Sequence, residues 1–160
     1  MTPQEIVKGL ANYQNAAMRQ EIRSVGSMKF IVDCYNASPD SMRASLGVLA
    51  GIEAAGRRVA VLGDMLELGS ISEEQHFEIG RHCARLDLDM LVCYGDIARH
   101  IKRGAIVAGM RNVVMFEDKE EATAYLSRVL EDNDTVLFKA SRGMALEEII
   151  NPLQKMIEER

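Results

Sequence analysis

The sequence predicts a three-layer α/β domain built on a mostly parallel sheet of roughly six strands. Three observations lead there. Short apolar runs rich in Val, Ile and Leu alternate with stretches of helical length and period. The central runs are continuously apolar, as strands are when both faces of a sheet are covered. Three of them end in polar turns that lead towards helices, the arrangement that places ligands at the carboxyl edge of a parallel sheet.

Taken in order, Thr2-Pro3-Gln4-Glu5 is a helix start, with a Thr cap, Pro at the first position and Glu three after the cap. That helix is expected to reach about Ala11, with Ile6, Val7 and Leu10 on one side. Residues 12–20 have no clear period and read as a connector. Residues 21–25 form a short strand that turns at Gly26-Ser27, and 28–32 form the first central strand. Ser38 is a good N-cap and Pro39 fits the first helical position. The helix pattern runs over 40–55, with Met42, Leu46, Leu49 and Ala50 inward and Gly56 as its stop. Strands follow at 58–63, 90–94, 112–116 and 135–138. Helices are expected from the Ser72-Glu73-Glu74-Gln75 capping box to about 86, then over 96–108, 119–130 and from 144 onward. Pro152 either starts a second short helix after an Asn151 cap or kinks one continuous helix. No internal repeat, low-complexity tract or interdomain linker is visible, and 160 residues suit one domain. The whole reads as a Rossmann-like sheet with helices on both faces.

Charge and composition narrow the function. The chain carries 24 acidic and 19 basic side chains, a formal net charge of -5, with no dense Lys/Arg cluster and 5% aromatic residues. That argues against a nucleic-acid partner, and Lys102-Arg103 reads as part of a solvated face. Cys34, Cys83 and Cys93 have no metal-ligand spacing and are odd in number, so they read as small buried residues in a reducing compartment. Cys34 lies inside a candidate loop but is expected to point into packing. No secretory segment or membrane-spanning stretch is present, so the cytoplasm is the default location and no membrane partner is expected.

The polar turns carry the candidate chemistry. In Asp33-Cys34-Tyr35-Asn36-Ala37-Ser38-Pro39-Asp40-Ser41-Met42, an acid ends a strand and its carboxylate is expected in the crevice above the sheet. The plainer reading is that Asp33 and Asn36 only order the turn. In Gly63-Asp64-Met65-Leu66-Glu67-Leu68-Gly69, the first glycine allows close backbone approach. Asp64 or Glu67 are candidates for a sugar hydroxyl, a metal or a partner domain. Met65, Leu66 and Leu68 pack under the loop or form a domain contact. In Lys139-Ala140-Ser141-Arg142-Gly143-Met144, two cations and a hydroxyl precede a helix, which suits a carboxylate or phosphate; the alternative is a tight turn whose charges face water. Neither GxxxxGK nor GxGxxG occurs, so the chain lacks the usual phosphate cradle. His76 is expected on a helix surface near the site edge, His82 on a different face and His100 far away, with no metal constellation.

Taken together, these three turns resemble the C-terminal domain of the Mur ligases, the amino-acid-adding enzymes of cytoplasmic peptidoglycan precursor synthesis. The likeness covers nearly the whole chain, with Met18-Arg19, His76 and Gly80 also matching. The branch it resembles adds D-alanyl-D-alanine to UDP-N-acetylmuramoyl-tripeptide using ATP, through an acyl phosphate and with two Mg²⁺ ions. The resemblance implies that residues 1–20 are the end of a preceding domain and a connector, and that 21–160 are the C-terminal domain. Such a domain closes over ATP held by a central P-loop domain, beside an N-terminal domain that holds the UDP end. It further implies that Asp33 meets the ATP ribose and that Tyr35 and Asn36 lie beside the adenine and ribose. Arg19 would reach towards the phosphates, and Lys139, Ser141 and Arg142 would lie near the incoming dipeptide. Ala140 and Ser38 stand where the family commonly has Gly and often Asn; Ala140 restricts the turn if its backbone needs positive φ. The resemblance also makes the chain a piece of a longer enzyme, inactive alone. Two other readings compete. One is a phosphoacceptor regulatory module using Asp33, Asp64 and Lys139. The other is an interaction domain using Met65, Leu66 and Leu68.

Overall fold

A single six-stranded sheet organises the chain. The computed structural model describes residues 18–160. The helix expected over 2–11 and the connector up to residue 17 lie outside the described residues. In chain order the strands are β1 (Glu21–Val25), β2 (Met28–Val32), β3 (Arg58–Gly63), β4 (Met90–Tyr94), β5 (Val113–Phe116) and β6 (Thr135–Lys139). They lie side by side as β1-β2-β6-β3-β4-β5. β1 pairs antiparallel with β2 through the Gly26-Ser27 turn, and every other neighbour is parallel. Gly26 takes φ +58°, the left-handed conformation that glycine tolerates in a tight turn.

Among the described residues four helices connect the strands, α1 (Pro39–Gly51), α2 (Ser72–Cys83), α3 (Arg99–Val107) and α4 (Lys119–Val129), and a fifth, α5 (Glu147–Glu158), follows β6. The connections β2–β3, β3–β4 and β4–β5 step one way across the sheet, and β5–β6 steps back. With right-handed crossovers, the helices of the forward steps share one face and the helix of the return step takes the other. The core divides accordingly. Ile31, Ala60, Leu62, Leu91 and Leu137 pack with Met42, Leu46 and Leu49 of α1, Ile79 and Cys83 of α2, and Ile101 and Ala105 of α3. Phe30, Val32, Val59, Val61, Val92, Val136 and Phe138 pack with Ala122 and Leu126 of α4 and Ile149, Ile150, Leu153 and Ile157 of α5.

Several boundaries differ from the sequence reading for local reasons. Ser38 caps α1 as expected: its Oγ accepts from the Ser41 N–H at 3.2 Å, and Ser41 Oγ accepts from the Ser38 N–H at 2.9 Å. The helix then stops at Gly51, five residues before Gly56. Gly56 serves a close approach instead, since a Cβ there would lie 2.6 Å from the Asn133 backbone. Ser72 is not a cap. A short 3₁₀ turn, Gly69–Ile71, runs straight into α2, so Ser72 is already helical. Pro152 sits inside α5, which is one continuous helix. The three thiols are buried. Burial pushes the Cys34 thiol up to about 11 and the Cys83 thiol up to about 12, which fits packing residues rather than nucleophiles.

Candidate functional site

β2 and β6 are adjacent, but the chain leaves them towards opposite faces: α1 follows β2 on one side and α5 follows β6 on the other. This is a topological switch point, and a crevice opens there at the carboxyl edge. A cleft of about 350 Å³ occupies it, lined among others by Arg19, Asp33, Tyr35, Asn36, Ser45 and Lys139.

The parallel register builds the floor of this cleft. Val32 lies opposite Phe138, and the Asp33 N–H donates to the Phe138 carbonyl at 2.9 Å. Phe138 faces α4 and α5, so Lys139, one residue on, turns towards the α1 side and meets Asp33. Lys139 is 1% exposed, and its Nζ donates to Asp33 Oδ2 at 2.8 Å and to the Asn36 carbonyl at 3.1 Å. Ser45, buried on α1, places its Oγ 2.5 Å from the same Oδ2. Among the described residues, Asp33 Oδ1 accepts one hydrogen bond, from the Gln20 N–H at 3.3 Å.

Above this floor the walls are open. The Arg19 guanidinium lies over the Tyr35 ring, 4.2 Å from its centroid, and Tyr35 is 46% exposed. Such an exposed cation–π contact contributes about 0.5–1 kcal/mol and leaves both groups accessible. Asn36 Oδ1 accepts from the Ala37 N–H at 2.8 Å, which orders the turn. Turn ordering and cleft lining therefore coexist in the same residues.

The other two turns are laced to each other. Ser141 donates its N–H to the Asp64 carbonyl at 3.1 Å, and its Oγ accepts from the Leu66 N–H at 2.9 Å. Gly63 permits this contact, since a Cβ there would lie 2.7 Å from the Ala140 Cβ. Ala140 has no positive φ, so it does not restrict the turn; only its methyl group must be accommodated. Arg142 is exposed and pairs with Glu147 at the start of α5. Burial is the largest single influence and opposes the Glu147 charge, but the hydrogen bond from Arg142, the residue's own backbone N–H and the Arg142 and Lys119 charges together hold that carboxyl below its usual range.

Two residues turn out differently from their sequence reading. Asp64 accepts the Ala98 N–H at 2.7 Å and the Ile97 N–H at 3.3 Å, so its carboxylate caps the turn that leads into α3. Asp33 and Asp64 are thus committed to different partners and do not form the shared acidic pocket a phosphoacceptor needs. His76 is not on a surface but fully buried. Its Nδ1 bonds the Ser72 carbonyl at 2.7 Å, and its Nε2 accepts from the Met65 N–H at 2.9 Å. It is a neutral strut under the second turn, and burial lowers its pKa. Met65 packs beneath that turn and Leu68 is partly buried against the core, which leaves Leu66 and Ile71 exposed. No cluster of His, Cys, Asp and Glu suited to a metal ion occurs among the described residues.

The fold, with its switch-point cleft, is that of a Rossmann-like α/β domain. Residues 18–142 match the family described as Mur ligase, glutamate ligase domain. The chain belongs to the Mur ligase family. It is 36% identical over 155 residues to the UDP-N-acetylmuramoyl-tripeptide–D-alanyl-D-alanine ligase of Bacillus subtilis, a match covering 96% of this chain and 34% of that protein. A crystal structure of MurF from Acinetobacter baumannii superposes with a TM-score of 0.88 at 33% identity, covering 97% of this chain and 34% of the other. MurF ligase from Thermotoga maritima in complex with ADP gives 0.81 at 29% identity, covering 96% of this chain and 34% of the other. The chain therefore spans about a third of the length of the relatives it matches. Among the described residues, no helix is long and apolar enough to cross a membrane.

Proposed function

We propose that this chain is the C-terminal domain of a cytoplasmic, ATP-dependent ligase that adds D-alanyl-D-alanine to UDP-N-acetylmuramoyl-tripeptide. In this reading residues 1–20 end the preceding domain and form the connector, and 21–160 are the closing domain. Its other partners are the N-terminal and P-loop domains of the same enzyme. The observation that carries the reading is the switch-point cleft, where the Asp33 carboxylate, the exposed Tyr35 ring, Asn36 and the Arg19 guanidinium converge. These groups fit a nucleoside triphosphate: a hydroxyl acceptor, an aromatic face and a cation for phosphate. Mg²⁺ would sit on the phosphates and the preceding domain, where it would neutralise phosphoryl charge. Ser141 and Arg142, on the neighbouring turn, are assigned to the dipeptide. Arg142 offers a planar fork for its carboxylate once Glu147 releases it. Lys139 was expected beside them, but its ammonium bonds Asp33, so any influence on substrate passes through that contact.

Steady-state phosphate release by the complete ligase tests this. Tyr35 and Arg142 are the informative positions because both are exposed, whereas breaking the buried Asp33–Lys139 pair would itself cost about 3–5 kcal/mol of stability. Tyr35→Leu should raise the ATP KM several-fold with little change in the thermal midpoint. Arg142→Lys keeps the charge but loses the fork, and should raise the dipeptide KM more than the ATP KM. An unchanged ATP KM in Tyr35→Leu, or a rise in the ATP KM alone in Arg142→Lys, would refute the corresponding assignment.

A further inference from the structure

Lys139 is the most deeply buried cation in the cleft, and its charge faces a carboxylate rather than open solvent. It donates to Asp33 Oδ2 at 2.8 Å and to the Asn36 carbonyl at 3.1 Å. Ser45 Oγ, 2.9 Å from the Ser41 carbonyl within α1, approaches the same Oδ2 at 2.5 Å. Three elements thus meet on one carboxylate oxygen: β6 through Lys139, α1 through Ser45, and the turn after β2 through Asp33 itself. The other oxygen, Oδ1, has one donor among the described residues, the Gln20 N–H at 3.3 Å. A carboxylate left to itself rotates about its terminal torsion, which is broad and roughly two-fold. Here two side-chain donors on one oxygen remove that freedom, and Asp33 lines the cleft together with Gln20, whose N–H reaches the other oxygen.

We infer that Lys139 and Ser45 are positioning residues that lock Asp33 by its Oδ2, so that Oδ1 is held ready to accept a hydroxyl of a bound nucleotide's ribose. The same ammonium holds the Asn36 carbonyl, so it also fixes the turn that carries Tyr35 and Asn36. Lys139 makes no contact with the nucleotide in this scheme. Its distance from Arg142 in function follows from β6 lying against β2: one end of the last turn serves the nucleotide pocket and the other end the exposed rim. The inference rests on the nucleotide reading of the cleft, and the test separates the two.

The complete ligase is assayed with ATP and with 2′,3′-dideoxy-ATP, which lacks both ribose hydroxyls. A hydrogen bond to a charged group gives roughly a 10- to 100-fold preference for ATP in KM. In Lys139→Met this preference should fall below about threefold, because the KM for ATP rises much more than that for the dideoxy analogue, which feels only the loosened Asn36 turn. Ser45→Ala should lower it partially, by several-fold. Ser45→Ala leaves no buried charge unpaired, so it decides the matter by the same ratio if Lys139→Met does not fold. A preference that stays within about twofold of wild type in the variants overturns the positioning role. So does an equal rise in both KM values, which marks a general loss of structure. If the wild-type enzyme itself shows no preference for ATP, the ribose reading of the cleft fails and the inference falls with it.

Discussion

Replacing Asp64 by Ala should destabilise the domain without acting through any ligand. The carboxylate is 5% exposed and accepts two backbone N–H groups, from Ala98 at 2.7 Å and Ile97 at 3.3 Å. Ala98 is fully buried, so its N–H has no route to water once the acceptor is gone. Leaving one buried donor unpaired costs about 1–3 kcal/mol. Because Ile97 is only partly buried, water can take over its N–H and that bond adds little. A total of about 1–3 kcal/mol results, and in a chain of this size each kcal/mol shifts the thermal midpoint by roughly 2–4 °C. Urea denaturation of the 160-residue chain, followed by circular dichroism, measures it directly. Asp64→Asn should fall between wild type and Ala, since one amide oxygen can still accept while the NH₂ group opposes the second donor. If Asp64→Ala lies within about 0.5 kcal/mol of wild type, or is more stable, the capping argument is wrong and the acid is held for a ligand.

Two further outcomes follow from packing and protonation. The α2–α3 crossing brings Gly80 so close to α3 that a Cβ would lie 1.9 Å from the Ile101 carbonyl oxygen. Gly80→Ala should therefore lose about 2 kcal/mol or more despite its better helix propensity, whereas Gly47→Ala, with nothing within 4 Å, should gain about 0.5–1 kcal/mol; similar midpoints for both would refute the close approach. His76 is kept neutral by burial, so its folded pKa lies below the ordinary 6.5. Below pH 6.5 the unfolded chain takes up a proton that the folded chain does not, so stability falls as pH drops through that value. The urea midpoint should decline from pH 7.5 to 5.5, and decline less in His76→Gln; equal declines would show that His76 is not the group responsible.

The strands and their order along the chain were legible in the sequence because each carries its own local signal. The apolar runs at 58–63 and 90–94 are bounded by turns, and the Ser38-Pro39 start of α1 states its cap chemistry within four residues. Boundaries that depended on neighbours were not legible. Ser72 has the sequence of a cap but lies inside a helix, because the 3₁₀ turn before it continues the winding. Asp64 and Asp33 look alike as strand-end acids, yet one caps a turn some 33 residues away and the other faces a lysine 106 residues away.

That last contact marks where the sequence stops. It shows Asp33 at the end of one strand and Lys139 at the end of another, with no signal for how far apart those strands lie. The return of the chain from β5 to insert β6 between β2 and β3 decides it. Parallel register then puts the two residues side by side on the α1 face. Strand identity is a local property of period and propensity, which one chain displays by itself. Strand adjacency is set by which faces bury against which helices across the whole sheet, and only the folded molecule supplies that.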